Sequence, residues 1–455
     1  MLTYELKKRP GLPLYEALYR CIREDILTGK LAPGQKLPSK RALAQHLKIS
    51  NITVEGAYEQ LLAEGYISAQ ERVGYFAEAV ARQTPAEKPP APPLEESQWE
   101  IDLTVNASTD FPFSVWSRLQ RQVMQDYAQQ LLRPMPNQGL WELRSAIASH
   151  LAAFRGMQVS PENILVGAGT DFLYNLLIQL LGRDKIYAVE EPGYGKIRKI
   201  YAAGGVKCVS AKMDRQGVIP DSLADAQVLH ISPSHHFPTG LVTSRERRGE
   251  LLHWVCARDD RYIIEDDYDS EFRFNAHPMP TMGSMDTAGK VIYMNTFSKT
   301  LAPSIRISYM VLPSKLMAQF QEMLGFYSCT VPSFEQYTLT RFLQGGHFET
   351  HLNRMRKAYR SRRNVLFEVI KKSPYASQLK ILEQDAGLHF LLQVDTPLTE
   401  TELVEKCAAA GICVRSLSSY YHGDVPATDR NCLVINYSGL HSEQIERLSQ
   451  KLHRL

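Results

Sequence analysis

Three things are scarce in this 455-residue chain: paired cysteines, long apolar runs and net charge. The seven cysteines, Cys21, Cys208, Cys256, Cys329, Cys407, Cys413 and Cys432, are scattered, odd in number and form no C-x-x-C pair. That excludes a disulfide framework or a zinc ribbon, leaves no metal-ligand set, and points to a reducing cytoplasm. No run of about 18 apolar residues, the length a membrane span needs, occurs, and Met1 to Lys8 does not read as a secretion signal. Lys and Arg number 52 against 49 Asp and Glu, a net of +3, too little for bulk charge to name a partner. What is present is ordinary folded-protein composition, 44% apolar and 22% charged, which excludes a mostly disordered chain. At about 150 residues per domain, more than one core is expected.

The seam is at 81–98, ARQTPAEKPPAPPLEESQ, with five prolines between Pro85 and Pro93. Proline at that density favours extended polyproline II and builds no core, so the stretch predicts a semi-rigid linker. It separates residues 1–80 from residues 99–455.

In the first segment, Leu14, Leu18, Ile22 and Ile26 share one helical face, and Gly29 and Pro33-Gly34 end that helix. A second helix begins behind Ser39, whose hydroxyl can accept a first-turn N–H. A third carries Val54, Ala57, Tyr58, Leu61 and Leu62, and Gly65 closes it. Tyr66-Ile67-Ser68 and Tyr75-Phe76 then read as a strand pair. Helix, helix, turn, helix and β-hairpin is a winged helix-turn-helix, a mainly α fold with a β-wing. Its third helix presents Asn51, Thr53 and Glu55 to a major groove, with Ser39, Lys40 and Arg41 at backbone phosphates and Arg72 in the wing. The segment holds 11 basic and 9 acidic residues, so the pattern and not the charge suggests double-stranded DNA.

Beyond residue 99, short β-branched runs alternate with helical periodicity: Ile164–Val166, Ile186–Val189, Val228–Ile231, Tyr262–Ile264 and Val291–Met294. That predicts an α/β unit with a mostly parallel sheet and helices on both faces, whose ligand lies beyond the strands' carboxyl ends. Gly169 and Thr170 follow the first run and offer N–H groups to an anion. Tyr194 follows the second, Asp266 and Tyr268 the fourth, and Thr296, Ser298, Lys299 and Arg306 the fifth. Singly, Lys299 reads as a loop lysine, Asp266 as a helix cap and Tyr194 as core packing. Together they suit one ligand with a phosphate, a flat ring under Tyr194, a ring nitrogen at Asp266, a ring hydroxyl at Tyr268 and an aldehyde for Lys299. That ligand is pyridoxal 5′-phosphate, with Lys299 as its Schiff-base lysine.

The string KLPSKRALAQHLKISNITVEGAYEQLLAEGYI resembles the GntR-type winged helix. The strings PGY, SHHFPTG, EDDYDSEFR and TFSKTLAPSIR resemble the fold-type-I aminotransferase half of MocR-type (GabR/PdxR-like) regulators. The resemblance implies a fold-type-I domain with a smaller C-terminal α+β subdomain, and a homodimer. It assigns Lys299 the cofactor link, Asp266 the ring nitrogen, Tyr268 the ring oxygen, Tyr194 the ring face, and Thr296, Ser298 and Arg306 the phosphate. Departures are specific. Asn51 stands where the DNA-binding family carries arginine, and Asn suits adenine rather than guanine. Val434 stands where aminotransferases hold a substrate carboxylate with arginine, so Arg415 becomes the expected effector cation. Lys196 replaces a further arginine, and Pro134 replaces a tyrosine that reaches the partner's phosphate.

The expected function is a cytoplasmic transcriptional regulator that senses pyridoxal phosphate, or an amine or amino acid forming an external aldimine with it. The alternative is a working aminotransferase. Because Val434 weakens ordinary substrate binding, net turnover is not expected, although a half-transamination is compatible with the residues.

Overall fold

The computed structural model describes residues 2–4, 6, 13–71, 73–80, 99–105, 110–272, 279–382 and 387–452. The chain divides into two compact units, Met1–Glu96 and Ser97–Leu455. The proline-rich stretch 81–98 and Arg72 lie outside the described residues.

The upstream unit runs α1 (Leu14–Leu27), α2 (Lys40–Leu47), α3 (Asn51–Ala63), β1 (Ile67–Gln70) and β2 (Gly74–Ala77). Leu18, Ile22 and Ile26 of α1 are buried against Leu43 of α2 and Val54, Ala57 and Leu61 of α3. Each of the two later helices starts on a serine. Ser39 Oγ accepts from Ala42 N at 3.2 Å and Ser50 Oγ from Thr53 N at 3.2 Å, satisfying amides the helices leave unpaired. Tyr58 is fully buried and donates its hydroxyl to Pro38 O at 2.9 Å, tying α3 to the start of α2. β1 and β2 pair antiparallel, Ser68 opposite Phe76.

The downstream unit is built on an eight-stranded sheet. Its strands are β4 (Ile164–Gly167), β5 (Ile186–Glu191), β6 (Lys207–Asp214), β7 (Gly217–Val218), β8 (Val228–Ile231), β9 (Tyr262–Asp266), β10 (Val291–Thr296) and β11 (Ser308–Val311), after a short β3 (Ile101–Asp102). The spatial order is β4-β11-β10-β9-β8-β5-β6-β7. The run β10-β9-β8-β5-β6 is parallel, while β11 is antiparallel to both its neighbours. Around the sheet lie α4 (Phe113–Asp126), α5 (Ala128–Leu131), α6 (Trp141–Arg155), α7 (Thr170–Leu181), α8 (Gly195–Ala203), α9 (Arg245–Cys256), α10 (Met282–Met285), α11 (Ser314–Leu324), α12 (Ser333–Gln344) and α13 (His347–Lys372). Alternate residues of each strand serve opposite faces. Ile264 and Ile292 pack with α7 and α11, whereas Ile263 and Val291 pack with α9 and α10.

A second, four-stranded sheet forms the C-terminal subdomain, from β12 (Leu379–Leu382), β13 (His389–Val394), β15 (Arg415–Ser416) and β16 (Cys432–Asn436) in the order β12-β13-β16-β15. α14 (Glu400–Ala409) and α15 (Ser442–Leu452) accompany it, and β14 (Ile412–Cys413) pairs parallel with β3. Among the described residues no helix is long and apolar enough to cross a membrane.

Leu177 of α7 is fully buried between helix and sheet. Leu177→Ala should therefore cost the downstream unit about 2–5 kcal/mol. All four tryptophans, Trp99, Trp116, Trp141 and Trp254, belong to that unit, so a denaturant titration followed by their fluorescence measures the loss directly.

Candidate functional site

The start of α3 is the exposed polar edge of the upstream unit. Asn51 is exposed at its first turn, and the Thr53 hydroxyl lies 2.7 Å from Ser50 Oγ, engaged within the cap. Ile52, which the sequence pattern did not single out, is 80% exposed between them. An apolar side chain so placed is suited to a thymine methyl group. Lys40 does not stand free: its Nζ lies 2.7 Å from Glu55 Oε1 and 5.7 Å from the centre of the Tyr75 ring. Arg41 is exposed, and no ion pair is recorded for it among the described residues. Ser39 is spent as the cap of α2.

In the downstream unit the carboxyl ends of β5, β8, β9 and β10 open on a cavity of about 360 Å³. Its lining includes Thr170, Tyr194, Lys196, Asp266, Tyr268, Thr296, Ser298, Lys299 and Arg306. Nine of the residues read from the sequence are thus brought to one space. Gly169 borders it by way of Arg306. A Cβ on Gly169, whose φ is +90°, would fall 2.1 Å from Arg306 Nη2, so the missing side chain is what admits the guanidinium to the start of α7. Arg306 itself turns through a left-handed φ of 48°.

Asp266, the last residue of β9, is buried. Its Oδ2 accepts from the Tyr174 hydroxyl of α7 and lies 3.6 Å from His230 Nε2, while its Oδ1 is buried without a partner. The Tyr268 phenol is pushed well above its ordinary pKa by burial and then by Asp269, Asp266 and Glu190, so it remains a donor. Its hydroxyl lies 3.4 Å from His235 Nδ1, which is 2.8 Å from Asp269 Oδ2. Lys299 has its amine pKa lowered by burial, against the opposing pull of Asp269 and Asp266. Tyr194 is half exposed and meets Phe237 edge-on, ring centres 5.8 Å apart, so it is a cavity residue and not core packing.

Three expectations change in detail. The Thr296 hydroxyl is consumed internally: it accepts from Ser298 N at 3.1 Å and Ser308 Oγ at 2.8 Å and donates to Ile307 O at 3.4 Å. Ser298 Oγ, by contrast, is buried without a partner. Lys196 reaches the cavity mouth but is bound there, its Nζ 2.6 Å from Asp171 Oδ2, an oxygen that also lies 3.5 Å from Arg306 Nη2. Arg415 does not line the cavity. It is exposed on β15 directly opposite Val434 and next to Tyr420, whose phenol it draws down against the larger effect of burial.

Residues the sequence did not reveal include Tyr174 and Glu190. Glu190 is half-buried on β5, and its carboxyl, with Oε1 shut off from solvent, is pushed well above the carboxylate range by that burial, although Ser232 N donates to Oε2 at 3.0 Å. Asn436, also in the lining, donates from Nδ2 to Thr104 O at 3.2 Å. A polar residue following an apolar one in a strand was the available signal for both.

The arrangement can hold an anion at Arg306, a flat ring between Tyr194 and Asp266, and a carbonyl carbon at Lys299. The family of aminotransferase class I and II matches residues 100–452, and that of bacterial regulatory proteins, gntR family, matches residues 14–76. The HTH-type transcriptional regulator YdeL of Bacillus subtilis (strain 168) is 36% identical over 99% of this chain and 98% of its own. The probable rhizopine catabolism regulatory protein MocR of Rhizobium meliloti is 30% identical over 96% and 92%. In fold, the downstream unit resembles the kynurenine aminotransferase of Pyrococcus horikoshii, with a TM-score of 0.66 at 24% identity over 79% of this chain and 92% of that one.

Because burial lowers the Lys299 pKa, its amine should be neutral and nucleophilic at lower pH than that of a lysine in a short reference peptide. Competitive acetylation across a pH series, read by peptide mapping, measures this. Asp269→Asn removes the larger opposing charge and should move the Lys299 midpoint further down; a midpoint equal to that of the reference peptide would contradict the assignment.

Proposed function

Since the chain belongs to the HTH-type transcriptional regulators of the MocR kind, we propose that its downstream unit is the sensor and its upstream unit the output. The gntR-type unit binds DNA, and the aminotransferase-type unit takes pyridoxal 5′-phosphate. The signal is pyridoxal phosphate itself or an amino compound captured with it.

The residues present fit that cofactor. Two buried polar atoms without partners, Asp266 Oδ1 and Ser298 Oγ, face this demand, as does the guanidinium that Gly169 admits. Arg306, the N–H of Thr170 and the Ser298 hydroxyl would hold the phosphate, with Thr296 orienting Ser298, whereas the N–H of Gly169, expected from the sequence to join them, donates to Gly167 O at 2.8 Å. Asp266 would face the ring nitrogen, Tyr268 the ring oxygen and Tyr194 the ring face. When bound, pyridoxal phosphate supplies an aldehyde that primary amines reach in reversible exchange. Lys299 does the chain's part: held out of water, its amine gives up a proton readily, and Asp269 and Asp266 stand ready to favour its return. Tyr268 donates throughout, and Tyr174 fixes Asp266 in place. The effector's amino group would arrive at Lys299, with Lys196 at the cavity mouth as the cation for any acid group it carries, a role the exposed Arg415 outside the lining does not share.

The observation that carries this reading is the half-buried Lys299 side chain lining one cavity with Asp266, Tyr268 and Arg306. A working aminotransferase is the second reading, favoured by the same lowered proton affinity of Lys299. Sustained release of keto acid from an amino acid would establish it, and a single stoichiometric conversion would not.

Output requires a change in DNA affinity, which a ligand produces only by binding one arrangement of a homodimer better than another. With all seven cysteines free, a cytoplasmic setting fits.

Lys299→Ala should abolish borohydride-reducible attachment of the cofactor while effector-free DNA binding survives; retained attachment at another lysine would refute the role. Arg41→Ala should weaken binding to all sequences alike and reduce the salt slope by about one. A homodimer should need two half-sites spaced by multiples of about 10 bp, so inserting roughly half a turn between them should abolish binding in a gel-shift titration.

A further inference from the structure

The four-stranded sheet of the C-terminal subdomain has two working faces. Along β16, Val434 and Asn436 point one way, Asn436 into the Lys299 cavity and Val434 into a small apolar cluster with Phe237. Leu433 and Ile435 point the other way, into a separate cavity of about 210 Å³. The same alternation recurs in β13, where Leu392 and Val394 line the second cavity and Leu391 the Phe237 cluster. Before β16, Leu103 lines the second cavity and Thr104 the first, and Asn436 N donates to Leu103 O at 2.9 Å.

The second cavity is roofed by α14. Leu403, Lys406 and Cys407 fall at i, i+3 and i+4 on one face of that helix and line it, and no residue of α14 is fully buried. Leu366 and Ile370 of α13 and Leu448 and Leu452 of α15 complete the walls. The helix is nonetheless firmly started, with Thr399 and Glu402 exchanging bonds in a capping box. Among the described residues, a well-capped helix therefore stands over space that its apolar face leaves unfilled. Among the described residues Lys406 is the one charged residue of the lining, and it forms no ion pair with any of them.

We propose that this cavity is a second ligand site, distinct from the one centred on Lys299, taking a monocarboxylate with an apolar body of about six to eight carbons, by scale with the roughly 150 Å³ apolar cavity that holds benzene. The apolar body lies among Leu392, Leu403, Cys407, Leu433 and Ile435, and the carboxylate meets the Lys406 ammonium at the mouth. The inference does not depend on the reading of the Lys299 cavity.

Calorimetric titration of the full chain with octanoate tests it. Saturable one-to-one binding is expected, lost in Cys407→Trp, whose indole fills the space. Lys406→Glu should weaken octanoate by about two- to fivefold, the ordinary worth of an exposed ion pair, and leave octan-1-ol unaffected. Leu403→Phe, a smaller filling change, replaces Cys407→Trp if circular dichroism shows that variant unfolded. Absence of saturable binding, or octanoate affinity unchanged in a folded filling variant, would overturn the site. Octanoate affinity unchanged in Lys406→Glu would overturn the ligand class.

Discussion

A half-buried amine within the field of two buried carboxylates is the constraint around which the downstream unit is arranged. Burying a lone charge costs several kcal/mol, so Lys299, Asp266 and Asp269 are tolerable only with partners or a shifted proton. Burial lowers the Lys299 pKa, and the carboxylates oppose it. Those carboxylates are in turn held, Asp266 by Tyr174 and Asp269 by His235. The parallel sheet makes this possible, because β9 and β10 lie side by side, Asp266 at the end of β9 opposite Met294, two residues before β10 ends at Thr296.

The strand runs were legible because β-branched residues cluster in them, and the cavity residues because each follows such a run. The upstream unit was legible for a different reason. Its helices are punctuated by serine, glycine and proline, so α1 and the serine start of α2 follow from local chemistry, while the Ser50 cap of α3 emerged only in the structure. What escaped was whatever depends on register or on a hydroxyl's second partner. Tyr174 sits in an apolar helix and reads as core, yet its hydroxyl meets Asp266. Thr296 reads as a phosphate ligand until β11 supplies Ser308 to occupy it. β11 itself, antiparallel between β4 and β10, carried no signal of its own.

Arg415 illustrates the same limit. Its position opposite Val434 follows from strand pairing, and sequence spacing alone placed it no nearer than the right subdomain. The pairing also shows why an arginine on β15 does not simply replace one on β16. The two positions are neighbours on one face, but the buried end of β16 borders the cavity and β15 is exposed.

A single oxygen, Asp171 Oδ2, stands 2.6 Å from Lys196 and 3.5 Å from Arg306. An anion drawn to Arg306 competes with that oxygen and leaves it more fully to Lys196, whereas an acid group drawn to Lys196 leaves it more fully to Arg306. Two anions in that one cavity would thus be coupled through one atom. Thermodynamic reciprocity requires that whatever the first does to the affinity of the second, the second does equally to the first.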